Sequence, residues 1–132
     1  CAHRQWKHEG HCAYIHGYSR EYTFYFEAKE MDEHGWVVGF GDLKKLEKYL
    51  LDMYDHTMII AEDDPELATF QELHKNGLCD LRVVPEASLE SSAKAALNKA
   101  NEILSEMTKE RARCFKVEAR ENDKNSAIYS LE

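Results

Sequence analysis

A long stripe of apolar side chains in the second half of the chain is the strongest constraint on the fold of this sequence. The stripe follows Ser88, a residue type that favours helix N-caps, and repeats at helical spacing through Ala93, Ala96, Leu97, Ala100, Ile103, Leu104 and Met107. A helix with one apolar face must bury that face against another layer of structure. The sequence therefore predicts a long helix that begins at Ser88 and packs on a sheet.

Several segments have the character of strands that could supply this sheet. Tyr22, Phe24 and Phe26 alternate with side chains of the opposite face, which is the period-two pattern of a strand. Residues 30–35 resemble a turn, so we predict that residues 36–40 return beside this strand as a hairpin. Three further strands are predicted at 81–84, which Pro85 stops, and at 115–119 and 127–131, which a turn joins.

A second helix is predicted in the first half of the chain. Asp42 can cap it, and its apolar face consists of Leu43, Leu46, Tyr49, Leu50 and Met53. We expect this helix to end near Asp55 and His56, and residues 68–75 are compatible with a short third helix. The resulting order of elements predicts an α+β fold, with helices on one face of an antiparallel sheet.

Composition limits the class of protein. The chain has 132 residues, 43% apolar and 32% charged, which predicts a single soluble domain over residues 1–132. No run of 18 apolar residues occurs, so a membrane is not an expected partner. The net charge of −8 argues against nucleic acid as a partner. It does not exclude an anionic small substrate, because local Lys and Arg side chains or a metal can override the overall field.

The cysteines and the start of the chain carry less information. Four cysteines fit no zinc-ribbon or CxxC spacing and are few for a disulfide scaffold, so we expect reduced thiols and a cytoplasmic protein. A domain of this kind should open with a strand. The sequence leaves two interpretations: this strand precedes residue 1, or it is very short.

Histidine is concentrated near the start of the chain. Four of the seven histidines lie within the first sixteen residues, at positions 3, 8, 11 and 16. Imidazole is a favoured zinc ligand, and a catalytic zinc usually has three protein ligands and one open position. The cluster could supply such ligands or could be a set of surface histidines, and the residues alone leave both interpretations open.

Three other groups could carry chemistry. Cys12 lies four residues before His16, where imidazoles or a metal would favour a reactive thiolate; an inert buried thiol is the alternative. Asp55 could orient His56, or the two could form a polar helix end. Glu118, in an apolar strand, could pair with a structural cation. It could equally accept the two adjacent N–H donors of a pterin-like or guanine-like ring.

Six segments occur in an ordered set that spans nearly the whole chain. They are CAHRQ at 1–5, CAYIHGY at 12–18, GWVVGFGDLK at 35–44, YDH at 54–56, ASLE at 87–90 and VEA at 117–119, with Tyr129 near the end. Their order and spacing resemble those of the 6-pyruvoyl-tetrahydropterin synthase family, which includes the 6-carboxy-tetrahydropterin synthase of queuosine biosynthesis.

The resemblance implies the tunnelling fold, in which a four-stranded antiparallel sheet carries two helices on one face. It also implies a homo-oligomer, a trimer or a hexamer, whose sheets join into a barrel with active sites between subunits. The implied activity is that of a zinc-dependent lyase acting on 7,8-dihydroneopterin triphosphate. The branch that gives 6-carboxy-tetrahydropterin for 7-deazaguanine and queuosine synthesis is favoured over the 6-pyruvoyl branch.

The resemblance also implies roles by position. His3 and His16 match the first two zinc ligands, and Cys12 matches the thiolate that removes a proton from the substrate. Asp55 and His56 match the pair that assists proton transfer. The pterin ring is expected to bind at Glu118 and Ser88.

Departures from the family pattern leave a second interpretation open. Tyr18 stands where the third zinc ligand should be His, and His8 or His11 could substitute for it. Gly39 and Ala87 replace the usual Asp and Pro. The alternative is therefore a divergent pterin-binding protein of the same fold without metal-dependent turnover.

Overall fold

Residues 1–131, which the computed structural model describes, form seven strands and three α-helices. The strands are β1 Ala2–His3, β2 His16–Gly17, β3 Glu21–Ala28, β4 Met58–Ala61, β5 Leu81–Val84, β6 Ala112–Arg120 and β7 Ser126–Ser130. The helices are α1 Lys44–Tyr54, α2 Leu67–Lys75 and α3 Leu89–Thr108, with short 3-10 turns at His11–Ala13 and Phe40–Leu43. None of these helices combines the length and apolar character that a membrane span requires.

The larger core lies between α3 and a three-stranded antiparallel sheet in the order β3-β6-β7. Ser88 caps α3 by accepting a hydrogen bond from the Ser91 amide at 3.1 Å, as predicted. Six of the seven predicted stripe residues are buried, and Met107 alone of them is exposed. They pack against Cys114, Val117 and Ala119 of β6, together with the aromatic face of β3. The alternation predicted for residues 22–27 is therefore confirmed.

The predicted hairpin is wrong. Residues 36–40 form no strand, and β3 instead pairs along its length with β6, from Glu21 opposite Arg120 to Ala28 opposite Ala112. Asp32 closes a local turn by accepting the amides of His34 and Trp36 at 2.8 and 2.9 Å. The Arg111 guanidinium then donates to the Val37 carbonyl at 2.8 Å, so a side chain takes the place of a ladder partner.

A second sheet corrects the predicted architecture. Its order is β2-β1-β4-β5, and it is mixed, because β4 is parallel to both β1 and β5 while β2 is antiparallel to β1. The single four-stranded antiparallel sheet with two helices is therefore wrong: α3 packs on the three-stranded sheet, α1 packs against α3 in the same core, and α2 covers the mixed sheet. The cause is β4, an almost fully buried apolar strand typical of parallel pairing, with α2 as its crossover to β5.

A buried ion pair fixes the loop between β1 and β2 against this sheet. Asp64, whose carboxylate is fully buried, binds Arg4 through two hydrogen bonds of 2.7 and 2.8 Å. Burial opposes the charge of Asp64, yet Arg4 and the Glu66 amide hold the pKa of this carboxyl below its usual value. The Arg4 guanidinium also reaches the Ala13 carbonyl at 3.4 Å, and the Gln5 amide donates to the Cys12 carbonyl at 2.7 Å. The backbone around Cys12 is thus fixed by hydrogen bonds from Arg4 and Gln5.

Candidate active site

The three predicted metal ligands meet at the first two strands: His3 lies in β1, His16 lies in β2, and Tyr18 directly follows β2. His3 lies directly opposite His16 in the antiparallel register, and cross-strand neighbours of this kind place their side chains in contact. The ring centroids of His3 and His16 are 4.5 Å apart, and those of His3 and Tyr18 are 4.9 Å apart. The structure therefore brings together two imidazoles and a phenol that the sequence separates by up to fifteen positions. We call these three residues the His-Tyr cluster.

His3 is the buried member of the cluster and is not one of a set of surface histidines. It is 3% exposed, and burial, assisted by the nearby Arg20 and His16, lowers its pKa from 6.5 to about 4. The Tyr18 hydroxyl lies 3.2 Å from Nε2, while Nδ1 is buried without a hydrogen-bond partner in the described chain. His3 is therefore a neutral imidazole with one unsatisfied nitrogen.

His16 and Tyr18 complete the cluster from the neighbouring strand. The Nδ1 atom of His16 lies 2.7 Å from the Tyr14 carbonyl, a contact that makes Nδ1 the N–H donor and leaves Nε2 as the lone-pair nitrogen. Burial raises the pKa of Tyr18 to about 12, although Arg20 works in the opposite direction through its charge and a 3.3 Å hydrogen bond. The Tyr18 side chain is therefore a neutral phenol at neutral pH, and the Arg20 guanidinium donates a hydrogen bond to its oxygen.

The low pKa of His3 predicts how stability depends on pH. Between pH 6.5 and about 4 the unfolded chain takes up a proton on this side chain that the folded chain excludes, so acid favours unfolding. We expect metal-free protein to lose up to about 3 kcal/mol of unfolding free energy across this window through His3. Urea unfolding at a series of pH values measures this loss.

The matched variants for this measurement are His3→Gln and His34→Gln. The first should reduce the slope of unfolding free energy against pH within this window, and the second, at an exposed histidine, should leave the slope unchanged. Equal slopes for His3→Gln and the parent protein would contradict the prediction.

Asp55 and His56 form a second group, directly after α1. The Asp55 carboxylate lies 2.8 Å from Nδ1 of His56, so these neighbouring side chains do face each other. His56 adopts a left-handed backbone conformation with φ of 57°, and its side chain is 94% exposed. Such a backbone is uncommon outside glycine and places the imidazole into solvent beside the carboxylate that orients it.

Arg20 and Tyr54 line two cavities. The first cavity, of about 360 Å³, extends to Ser88 at the start of α3. The second cavity, of about 420 Å³, contains the Asp55–His56 pair. Arg20 also touches Tyr18 of the His-Tyr cluster. Arg20, which the sequence analysis did not identify, is thus adjacent to four predicted site residues: Tyr18, Asp55, His56 and Ser88.

Cys12 and Glu118 stand apart from these cavities. Cys12 is exposed in the loop between β1 and β2 and lines neither of them. Glu118 lies on β6 with Val117 and Ala119 facing the core on the opposite side, so its side chain is on the outer face of the sheet. Its carboxylate is 25% exposed and lies 3.6 Å from the Arg120 guanidinium, a loose ion pair that leaves acceptor oxygens available.

Comparison with known proteins identifies the family to which these features belong. The profile described as 6-pyruvoyl tetrahydropterin synthase matches residues 1–132. The chain belongs to this family. The family predicted from the sequence motifs is therefore confirmed.

Curated relatives agree with this membership, and solved structures share the fold. The 6-carboxy-5,6,7,8-tetrahydropterin synthase of Rickettsia bellii is 37% identical over 73 residues, which are 54% of this chain and 53% of that protein. The match thus spans about half of the relative's length. An uncharacterized protein from Wolinella succinogenes has a TM-score of 0.84 at 20% identity, covering 99% of this chain and 92% of its own. The 6-pyruvoyl tetrahydropterin synthase of Plasmodium falciparum has a TM-score of 0.70 at 19% identity, with coverages of 99% and 89%.

The family resemblance implies a zinc ion, and the donors present fit one. His3 and His16 offer two imidazoles whose ring centroids are 4.5 Å apart, and the Tyr18 oxygen lies 3.2 Å from Nε2 of His3. Among residues 1–131, no three His, Cys, Asp or Glu side chains come together in a metal-binding group. His8 and His11 therefore do not join this pair in the described chain. The third protein donor to a metal here would be the oxygen of Tyr18.

The residues missed by sequence reasoning are Arg20 and the Arg4–Asp64 pair. The sequence offered only weak signals for them: an arginine at the start of an aromatic strand, and an acidic run before Pro65. Their significance depends on neighbours far along the chain, because the partners of Arg4 and Arg20 include residues 64 and 54.

Proposed function

We propose that this chain is a zinc-dependent lyase of 7,8-dihydroneopterin triphosphate that produces 6-carboxy-tetrahydropterin for 7-deazaguanine synthesis. The observation that carries the proposal is the His-Tyr cluster, a buried neutral imidazole facing a second imidazole and a phenol, in a chain of this family. The curated relatives named 6-carboxy-5,6,7,8-tetrahydropterin synthase favour this branch over the 6-pyruvoyl branch.

The proposed chemistry assigns one task to each group. Zinc held by His3, His16 and Tyr18 would supply Lewis-acid polarisation of hydroxyl groups on the substrate side chain. Cys12, as a thiolate, removes a proton from that side chain, since thiolates are competent bases. His56 returns a proton, and Asp55 keeps its ring in the required tautomer through the 2.8 Å contact. Triphosphate departs, and in the carboxy branch a water molecule is consumed as a side-chain carbon–carbon bond breaks, which leaves the carboxyl group on the ring and releases acetaldehyde.

Association between subunits is part of the proposal. Cys12 and Glu118 do not line the two cavities that contain Arg20, Ser88, Asp55 and His56. Within a single chain the proposed catalytic and ring-binding groups are therefore not gathered in one site. Strands β3 and β7 each pair on one side only within the described sheet. An unpaired edge can add a strand from another chain. A homo-oligomer, a trimer or a hexamer, would use these edges to close a barrel and bring Glu118 of one copy to the site of another.

The deciding experiment is product identification. Purified protein loaded with zinc is incubated with 7,8-dihydroneopterin triphosphate, and the products are identified by mass spectrometry together with an assay for acetaldehyde. Formation of 6-carboxy-tetrahydropterin with acetaldehyde supports the proposal, whereas formation of 6-pyruvoyl-tetrahydropterin assigns the other branch. Binding of the pterin without conversion of any kind would refute the lyase and leave the divergent pterin-binding function, which the tyrosine at position 18 favours.

Glu118 provides a separate prediction for ring recognition. Its carboxylate is expected to accept two N–H groups of the pterin, and hydrogen bonds to a charged group contribute about 1.5–3 kcal/mol. Glu118→Gln should therefore weaken neopterin binding by about 10- to 100-fold, measured by titration calorimetry. The control is Glu106→Gln, which changes an exposed carboxylate on α3 and should bind neopterin normally. Equal affinities for both variants would remove Glu118 from ring recognition.

A further inference from the structure

Arg20 has a guanidinium without a carboxylate partner. No ion pair within residues 1–131 includes it. Its acceptors are the hydroxyls of Tyr18 and Tyr22, at the long distances of 3.3 and 3.5 Å, and its Nε atom is buried without a partner. Since a guanidinium carries five N–H donors and is always charged, most of its bonding capacity is unused.

Two aromatic rings hold the guanidinium in place. Its central carbon lies 5.6 Å from the centroid of the Tyr18 ring and 5.0 Å from that of the Tyr54 ring. Arginine stacks on aromatic faces in this way while its N–H groups remain available at the edge. The cation is therefore ordered before any ligand arrives, which reduces the entropy lost when a ligand binds.

Arg20 lines the first cavity, of about 360 Å³, as well as the second. Lys94 contributes a second cation to the lining of the first cavity and Glu86 a carboxylate, which is engaged by the Ser91 hydroxyl at 2.8 Å. In the second cavity Arg20 is offset by Asp55. The first cavity is thus locally positive in a chain whose net charge is −8, and local cations of this kind attract anions.

We propose that Arg20, together with Lys94, binds the phosphate chain of the substrate in the first cavity. The planar fork of an arginine matches phosphate oxygens with two parallel hydrogen bonds, whereas Lys94 acts as a point charge. Because Arg20 also touches Tyr18, the phosphate end is placed next to the His-Tyr cluster. This inference rests on the proposed function for the identity of the ligand, and on the cavity for its location.

Titration calorimetry with inorganic triphosphate tests the assignment on zinc-free protein, so that the probe does not chelate the metal. Arg20→Met, which keeps the side-chain length, should weaken triphosphate binding by about 10- to 100-fold. Arg20→Lys should lose less because the charge is kept, and Lys94→Gln should also lose less than Arg20→Met. The matched control is Arg113→Met, which removes a guanidinium paired with Glu27 and should bind triphosphate normally. Neopterin, which carries no phosphate, should bind Arg20→Met as it binds the parent.

The outcomes separate this inference from the proposed function. Unchanged triphosphate affinity in Arg20→Met overturns the inference, even if the parent protein forms the expected pterin product. Arg20-dependent triphosphate binding in a protein that forms no product supports a phosphate site and refutes the lyase. An equal loss in Arg113→Met would show that the effect is one of overall charge, which also overturns the assignment. Unchanged affinity in Lys94→Gln overturns the part given to Lys94.

Discussion

Replacement of Cys12 by alanine is expected to lower kcat on 7,8-dihydroneopterin triphosphate by about 10²- to 10⁴-fold, the usual contribution of a positioned acid or base. The thiol is exposed in a loop whose backbone is held at the Cys12 carbonyl by the Gln5 amide. Removal of the sulfur should therefore leave the fold and the ring site intact. Steady-state kinetics measure the fall in kcat, and neopterin titration should show unchanged binding.

The chain offers a matched control for this substitution. Cys79→Ala removes a thiol located between α2 and β5, away from the cluster, and should retain parental kinetics. A Cys12→Ala variant with parental kcat would exclude the thiol as the base. A fall in kcat shared equally by Cys79→Ala would point to a general effect on folding, and it would contradict the specific role given to Cys12.

Substitution of a single member of the His-Tyr cluster is expected to remove the bound zinc completely. The parent protein should contain about one zinc per chain, since a catalytic site has three protein ligands and one open position. Tyr18→Phe keeps the ring that packs on His3 but removes the oxygen, and we expect it to lose the zinc, as should His16→Ala. Elemental analysis of the purified proteins measures the metal content.

His8→Ala and His11→Ala are the controls for zinc content, because these histidines do not join the cluster in the described chain. They should keep the metal. Zinc retained in Tyr18→Phe and lost in either control would transfer the third ligand to that histidine. A parent protein that contains no zinc after growth with the metal would contradict the metal site and support the pterin-binding alternative.

The sequence predicted local structure well where a single periodicity was strong. Helix α3 and its Ser88 cap, strand β5 before Pro85, and the alternating face of β3 are all present. These features are set by contacts within a few residues: an N-cap hydroxyl, a missing proline N–H, and side chains that alternate about an extended backbone. Prediction failed for residues 36–40 and missed β4, where strand character alone does not reveal the pairing partner.

The candidate site divides in a similar way. Motif order was sufficient to recognise the family and to select His3, His16 and Tyr18, which the fold brings into contact. It did not reveal that His3 is buried as a neutral imidazole, or that Arg20 lacks a carboxylate partner and borders two cavities. Burial and the absence of a partner are properties of a whole environment, and sequence spacing does not encode them.

By itself, then, the sequence determined the helices with strong stripes, the membership of the family and the identity of the groups able to do chemistry. The tertiary structure alone decided which strands pair, that a mixed sheet carries the His-Tyr cluster, and where one positive charge is left without a partner. The physical reason is the range of the interactions involved. Helix caps and periodicity are satisfied within one or two turns of chain, whereas strand register, burial and charge compensation depend on residues that meet only after the chain has folded.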